Sequence, residues 1–149
     1  MLAAPAIRRG HAADLAAVVI LLKDFALPTD DLASAPDLRL WVVEDEQSVF
    51  GVIGMECFGA CALLRSLAVA PSHQKRGIGR QLIVRLESDA HSDGVEQLVL
   101  LTETAEAFFR AIGYQVTDRR YVPEEIKRTA EFQSLCPASA VCMTKSLPS

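Results

Sequence analysis

The stretch "LAVAPSHQKRGIGRQLI", residues 67–83, decides how the rest of the chain is read. It runs from an apolar, strand-like segment through Pro71 into a basic loop, and from the loop into helical periodicity. At a helix N-terminus the first backbone N–H groups have no partner within the helix, and the helix dipole adds partial positive charge. Gly77 and Gly79 let an anion approach that backbone, while Lys75, Arg76 and Arg80 add full charges. The segment reads as a pyrophosphate site, with a plain strand-to-helix turn carrying a solvated basic rim as the alternative. Two nucleotide loops are excluded. G-x-x-x-x-G-K-[ST] is absent, and Gly77-Ile78-Gly79 continues Arg80-Gln81-Leu82, so a dinucleotide fingerprint lacks its third glycine.

Working outward, "CALLRSLAVAP" (61–71) predicts a strand, apolar except at Arg65 and Ser66 and so covered on both faces. Before it, "LRLWVVED" (38–45) and "VFGVIGMECF" (49–58) predict a hairpin turning at "EDEQS". Gly51 and Gly54 inside the second strand suggest bulges or close backbone approach. Further back are a short strand at "AIRR" (6–9), a helix over Ala12 to Phe25 and a turn-rich "PTDDLASAPD". After the loop, a helix from Gly77 to about Ala90 turns Ile78, Leu82, Ile83 and Leu86 inward and Arg80, Arg85 and Glu87 to water. Then follow a buried strand (96–103), a helix (104–113) ended by Gly113, a strand begun by "YQVTDRRYV", a helix over "PEEIKRTAEFQSL" and a last strand at "ASAVCMTK". The order is mixed α/β, read as one domain over 1–149.

Composition narrows the function. Half of the 149 residues are apolar and 23% are charged, as in globular chains. A net charge of −4 argues against a general nucleic-acid binder, so any anion site is local. "AADLAAVVILL" is read as an amphipathic helix rather than an export signal, because Asp14 and Lys23 interrupt it and its apolar residues fall at helical spacing. No apolar run reaches the roughly 18 residues of a membrane span, and a cytoplasmic protein is expected. Four cysteines, Cys57, Cys61, Cys136 and Cys142, have neither zinc spacing nor neighbouring histidines and read as inert thiols, with no metal expected.

The same residues resemble a known family. "LAVAPSHQKRGIGRQLI" looks like the acetyl-coenzyme A signature of GCN5-related N-acetyltransferases (GNAT), with Gln74, Gly77 and Gly79 on its Q/R-x-x-G-x-G/A pattern, and "FFRAIGYQV" is similar to that family's next helix and strand entry. The resemblance implies a splayed, mixed but mostly antiparallel sheet flanked by helices, with the cofactor wedged in the gap. "LPTDDL", "LLRSLAVAP", "LLTETAEAFFRAIGY" and "FQSLCPASAVCMTK" are more narrowly similar to N-acetyltransferases of bacterial arsenic-resistance operons. That implies acetylation of the α-amino group of a small amino acid or a glutamate-like toxic analogue of the arsinothricin or phosphinothricin type. Alternatives are an N-acetylglutamate synthase-like enzyme, a non-catalytic acyl-CoA sensor and a thiol-based metalloid binder through Cys136 and Cys142.

Residue roles follow from the resemblance. Leu67, Ala68 and Val69 would hold the pantetheine arm of acetyl-CoA, Gln74, Lys75, Arg76, Gly77, Ile78, Gly79 and Arg80 its pyrophosphate, and Phe109 would be a further cofactor contact. Direct amine attack on the thioester needs a base, for which Glu56 and Glu103 are the candidates. The family's usual acid is a tyrosine where this chain has Phe109; Tyr121 or water would replace it, and Tyr114 reads as core. Arg65 interrupts an apolar strand and needs an anion, either an internal carboxylate or the substrate's acid group, with Arg119 and Arg128 as further substrate contacts. His73 reads as packing against the turn. The expected partner is a small-molecule amine, with no nucleic acid and no membrane, and a homodimer is compatible with the reading.

Overall fold

The computed structural model describes residues 6–35, 37–46 and 48–148; Pro36 and Gln47, each inside a turn read from the sequence, lie outside the described residues, as do 1–5 and 149. The chain runs β1 (Ile7–Arg9), α1 (Leu15–Asp24), β2 (Leu38–Glu44), β3 (Val49–Phe58), β4 (Cys61–Val69), α2 (Ile78–Ser92), β5 (Gln97–Thr102), α3 (Glu106–Ala111), β6 (Gln115–Val116), α4 (Glu124–Lys127) and β7 (Val141–Ser146). The strands form one sheet in the order β1-β2-β3-β4-β5-β7-β6. Every neighbouring pair is antiparallel except β4 and β5, which run parallel and pair only at Cys61↔Gln97, Ala62↔Leu98 and Leu63↔Val99. Beyond Leu63 the two strands part, so the sheet is splayed at its centre.

The faces of the sheet are covered differently. On one, α2 and α3 bury a continuous apolar core that includes Trp41, Ile53, Leu64, Leu82, Leu98 and Phe109. Each such side chain removed from water contributes roughly 1.5–3 kcal/mol. On the other, α1 packs Val18 and Leu22 on Leu40, Val42 and Val52, while the α4 side packs Val122 and Ile126 on Leu63, Val99 and Cys142. These two patches are separate clusters, and a polar seam lies between them. Among the described residues, no helix is long and apolar enough to cross a membrane.

The glycines of β3 act as the sequence suggests. A Cβ on Gly51 would come within 2.6 Å of Val43 Cγ1, and the β3–β4 register shifts between Val52 and Gly54. Several expectations change. Glu87 does not face water; it accepts the Tyr114 hydroxyl at 2.8 Å and the Lys145 ammonium at 3.0 Å. The helix expected over 104–113 is shorter, because the Thr102 hydroxyl accepts the Ala105 N–H at 3.0 Å and holds an open turn before it. The strand expected from Tyr114 onward is only β6, since the Asp118 carboxylate caps a 3-10 turn at Arg120 N (2.8 Å). The helix expected over 123–135 breaks into α4 and a π-helical turn, Glu131–Leu135. There Thr129 donates its hydroxyl to the Ile126 carbonyl at 2.7 Å, a local bond that competes with helix continuation.

Candidate functional site

The loop after β4 is built from two left-handed residues. Lys75 has φ +66° and Gly77, which starts α2, has φ +75°. Only open space surrounds the position a Gly77 Cβ would take, so the loop needs glycine there for its backbone and for what approaches it. The Gln74 side-chain amide donates to the Val69 carbonyl at 2.8 Å, tying the loop back to β4. His73 packs on Phe50, ring centroids 3.8 Å apart, as its position suggested. A groove of about 600 Å³ runs along this loop, lined by Leu67, Ala68, Val69, Gln74, Lys75, Gly77, Ile78, Gly79 and Arg80. Arg76, grouped with these in the sequence reading, is exposed and not among the lining residues. His73 also lines the groove, as do Phe25, Ala105 and Phe108, which were not foreseen. "FFRAIGY" held the signal for Phe108, whereas Phe25 arrives from a helix far away in sequence.

The groove continues into the gap where β4 leaves β5, through shared residues Phe25, Leu67 and Ala105. The gap, about 170 Å³, is walled by Leu64 to Leu67 of β4, Leu100 to Thr102 of β5, and Phe109. Phe109 meets the gap; it is buried, with Tyr114 edge-on at 5.3 Å. Ser66 takes a left-handed φ of +61° where the β3–β4 register shifts. A serine there is strained, and such backbone persists where the surroundings impose it. No sequence signal marks it, because the residue is not glycine.

Arg65 lies on the polar seam and its side chain is fully enclosed. It donates from Nη1 to Asp31 at 2.6 Å and to Glu56 at 2.7 Å, and from Nη2 to Asp31 at 2.7 Å. Its Nε lies 3.0 Å from Ser66 Oγ and 3.1 Å from Glu131 Oε2. Of the two readings of Arg65, the internal partner is the one the geometry matches; a direct clamp on a substrate acid group does not fit an enclosed guanidinium among three carboxylates. Burial would lower the Arg65 pKa, but its bonds to Asp31 and the other carboxylates raise it. Two of the partners, Glu56 and Glu131, are pushed toward the protonated form. Burial pushes Glu56 up against the pull of Arg65, and pushes Glu131 up to about 7, with Asp31 and Glu56 adding like charge.

The remaining candidates are scattered. Glu56 is buried and lines a cavity of about 390 Å³ with Asp31, Ser34, Phe58, Glu125, Arg128 and Thr129 among its walls. Glu103 is exposed and borders a different cavity, about 370 Å³, with Leu27, Cys136 and Pro137. The two candidate bases therefore do not share a pocket. Arg119 donates to the carbonyls of Pro137 (3.2 Å) and Ala140 (2.9 Å), so it braces the loop before β7 instead of facing a ligand. Tyr121 is 73% exposed, against Arg120, and lines none of these cavities. Burial pushes the Cys136 thiol up to about 12, reinforced by Glu131, and Cys142 up to about 11, which keeps both as unreactive thiols at neutral pH. Among the described residues, no group of three or more His, Cys, Asp or Glu side chains is placed to hold a metal ion.

Comparison with known proteins meets this geometry. A family model described as an acetyltransferase (GNAT) domain matches residues 36–116. An uncharacterized N-acetyltransferase of Chlorobaculum tepidum is 30% identical over an alignment of 96 positions that covers 58% of this chain and 59% of that protein. The match therefore spans less than two thirds of the relative. N-acetylglutamate synthase from Neisseria gonorrhoeae, solved with coenzyme A and N-acetyl-glutamate, superposes with a TM-score of 0.82 at 18% identity, over 100% of this chain and 36% of the synthase. Rv2747 from Mycobacterium tuberculosis, in complex with coenzyme A and NLQ, gives 0.76 at 22% identity, over 97% of this chain and 100% of that one. The ribosomal-protein-S18-alanine N-acetyltransferase from Escherichia coli gives 0.76 at 19%, over 98% and 96%. At such identities the structural likeness speaks for the fold.

Proposed function

The chain belongs to the acetyltransferase (GNAT) family, and from that premise we propose that it transfers acetyl from acetyl-coenzyme A to the α-amino group of a small amino acid or of a glutamate-like analogue of the arsinothricin or phosphinothricin type. One observation carries the reading: a single groove leads from the glycine loop, which suits a pyrophosphate, into a gap at the centre of the sheet, which suits a thioester. The residues present fit the cofactor. Gly77, Gly79 and the start of α2 would meet the phosphates, with Lys75 and Arg80 adding charge. The edge of β4 from Leu64 onward faces the gap instead of β5, so Leu67 and Val69 would pair with the pantetheine arm as an added strand does.

The chemistry asked of the protein is modest. A bound acetyl-CoA supplies an activated acyl group; the chain's own part is to align an amine, remove its proton and stabilise the carbonyl oxygen as charge builds there. Glu56, held by Arg65 and raised by burial, is one candidate base, on the seam cavity. Glu103 is left as the alternative, from the other cavity. Arg128 would contact the acceptor's acid group. With Phe109 at the usual tyrosine position and Tyr121 out in solvent, water would protonate the leaving thiolate.

The missing tyrosine also favours a second reading, a non-catalytic acyl-CoA sensor, and the synthase likeness a third, an N-acetylglutamate synthase-like enzyme. A panel of acceptor amines, including L-glutamate and phosphinothricin, assayed with acetyl-CoA and free-thiol detection, separates them. Thiol release that depends on an α-amino acid supports the transferase. Coenzyme A binding with no amine-dependent release across the panel would hand the case to the sensor.

A further inference from the structure

The cavity on the polar seam carries more charge information than the proposed reaction uses. It holds about 390 Å³ between the α1–β2 connection and α4, ample for one small amino acid. Its inner wall presents Glu56, 2% exposed, and Asp31, 9% exposed, both already bonded to Arg65. Behind them stands Glu131, so one guanidinium serves three carboxylates, and the floor has negative charge in excess. Glu125 and Arg128 stand at the rim, both exposed, and the Arg128 guanidinium has no hydrogen-bond or ion-pair partner among the described residues. Phe58, Ala35 and Ala130 line the remainder with apolar surface.

We propose that this cavity selects the acceptor, taking a small α-amino acid with an apolar side chain, its ammonium turned inward to Glu56 and Asp31 and its carboxylate outward to Arg128. The inference rests on the acetyltransferase reading and chooses between the substrate classes left open there. A cation on the floor balances the surplus carboxylate. One acid group meets Arg128, the one free cation at the rim among the described residues. A second acid group, as in a glutamate-like acceptor, finds only Asp31, Glu56 and Glu125, and like charges in a partly buried site repel strongly. Arg65 bonds Glu56 and its residue also borders the gap, so the cavity and the gap are built against one residue of β4.

A matched ligand set tests this by calorimetry at neutral pH. L-Leucine is compared with 4-methylpentanoate, which lacks the amine, with 3-methylbutylamine, which lacks the acid, and with L-glutamate. Leucine is expected to bind at least about tenfold more tightly than each of the other three, equivalent to ~1.4 kcal/mol. Glu56→Gln should abolish the preference for leucine over 4-methylpentanoate, and Arg128→Ala the preference over 3-methylbutylamine. Because Glu56 is buried, the Arg128 variant keeps the test valid if Glu56→Gln misfolds. Equal binding of 4-methylpentanoate or L-glutamate, or no binding by leucine, overturns the proposal. A coenzyme A titration on the same sample separates the failures: cofactor binding without leucine binding sinks the pocket alone, whereas leucine binding without coenzyme A binding sinks the acetyltransferase reading.

Discussion

The two faces of the sheet solve the same problem in opposite ways. Under α2 and α3, one unbroken apolar core fills the face and fixes the helix whose start forms the glycine loop. Under α1 and α4, two smaller apolar clusters leave a seam, filled by Arg65, Asp31, Glu56 and Glu131. A buried ionic cluster adds little net stability over an apolar one, yet breaking it is costly. The difference teaches where each half of the chemistry can live. A cofactor shared by a whole family suits the rigid face; acceptor choice suits the seam, where a few charges can be altered without disturbing the main core.

The sharpest way to break this comparison is to remove the cation. Arg65→Met strands three buried carboxylates and should cost about 3–5 kcal/mol in urea unfolding. A cost under 1 kcal/mol would mean the cluster is better hydrated than its enclosure implies. Next in size is the pH response of the seam. Glu131 binds its proton more tightly when folded, at about 7 against 4.5, so folding takes up protons between those values. Stability contributed there is full below about 4.5 and falls as pH rises through about 7. Glu131→Gln should flatten the decline measured between pH 5 and 7, a slope of up to ~1.4 kcal/mol per pH unit; an unchanged slope rules Glu131 out as its source.

The opposite face is probed at the loop. Gly77→Val places a branched side chain at φ +75° and over the groove. We expect coenzyme A affinity to fall about tenfold or more, ~1.4 kcal/mol, with the leucine titration unaffected; an unaltered affinity removes the loop from the cofactor site. The smallest effect is expected of Tyr121→Phe. An exposed side chain outside every cavity described should leave the steady-state kcat within error, and a clear drop would show that this turn closes over the gap during turnover.

How far the sequence reaches differs between the same two regions. The loop was legible because residues 74–80 are contiguous, and their spacing alone states a helix start with open backbone. The seam was legible only in fragments. Arg65 was marked as a charge needing an anion and Glu56 as a carboxylate near the gap, but Asp31 lies 34 residues before Arg65 and neither it nor Glu131 carries a local sign of its partner. Arg119 misled for the same reason, since nothing near it announces the carbonyls of Pro137 and Ala140. The splay of the sheet was expected from the family resemblance; the break between α4 and the π-helical turn came from one hydroxyl, Thr129, that a periodic pattern does not register.

The three-residue contact between β4 and β5 has a consequence for solvent exchange. Past Leu63, backbone amides on the gap side of β4 have no strand to shield them, although they lie in the middle of a seven-stranded sheet. In the free protein they should exchange hydrogen for deuterium at rates common to loops, while their neighbours facing β3 stay protected. Filling the gap with cofactor would close that line, turning the centre of the molecule from its most labile stretch of sheet into one of its slowest.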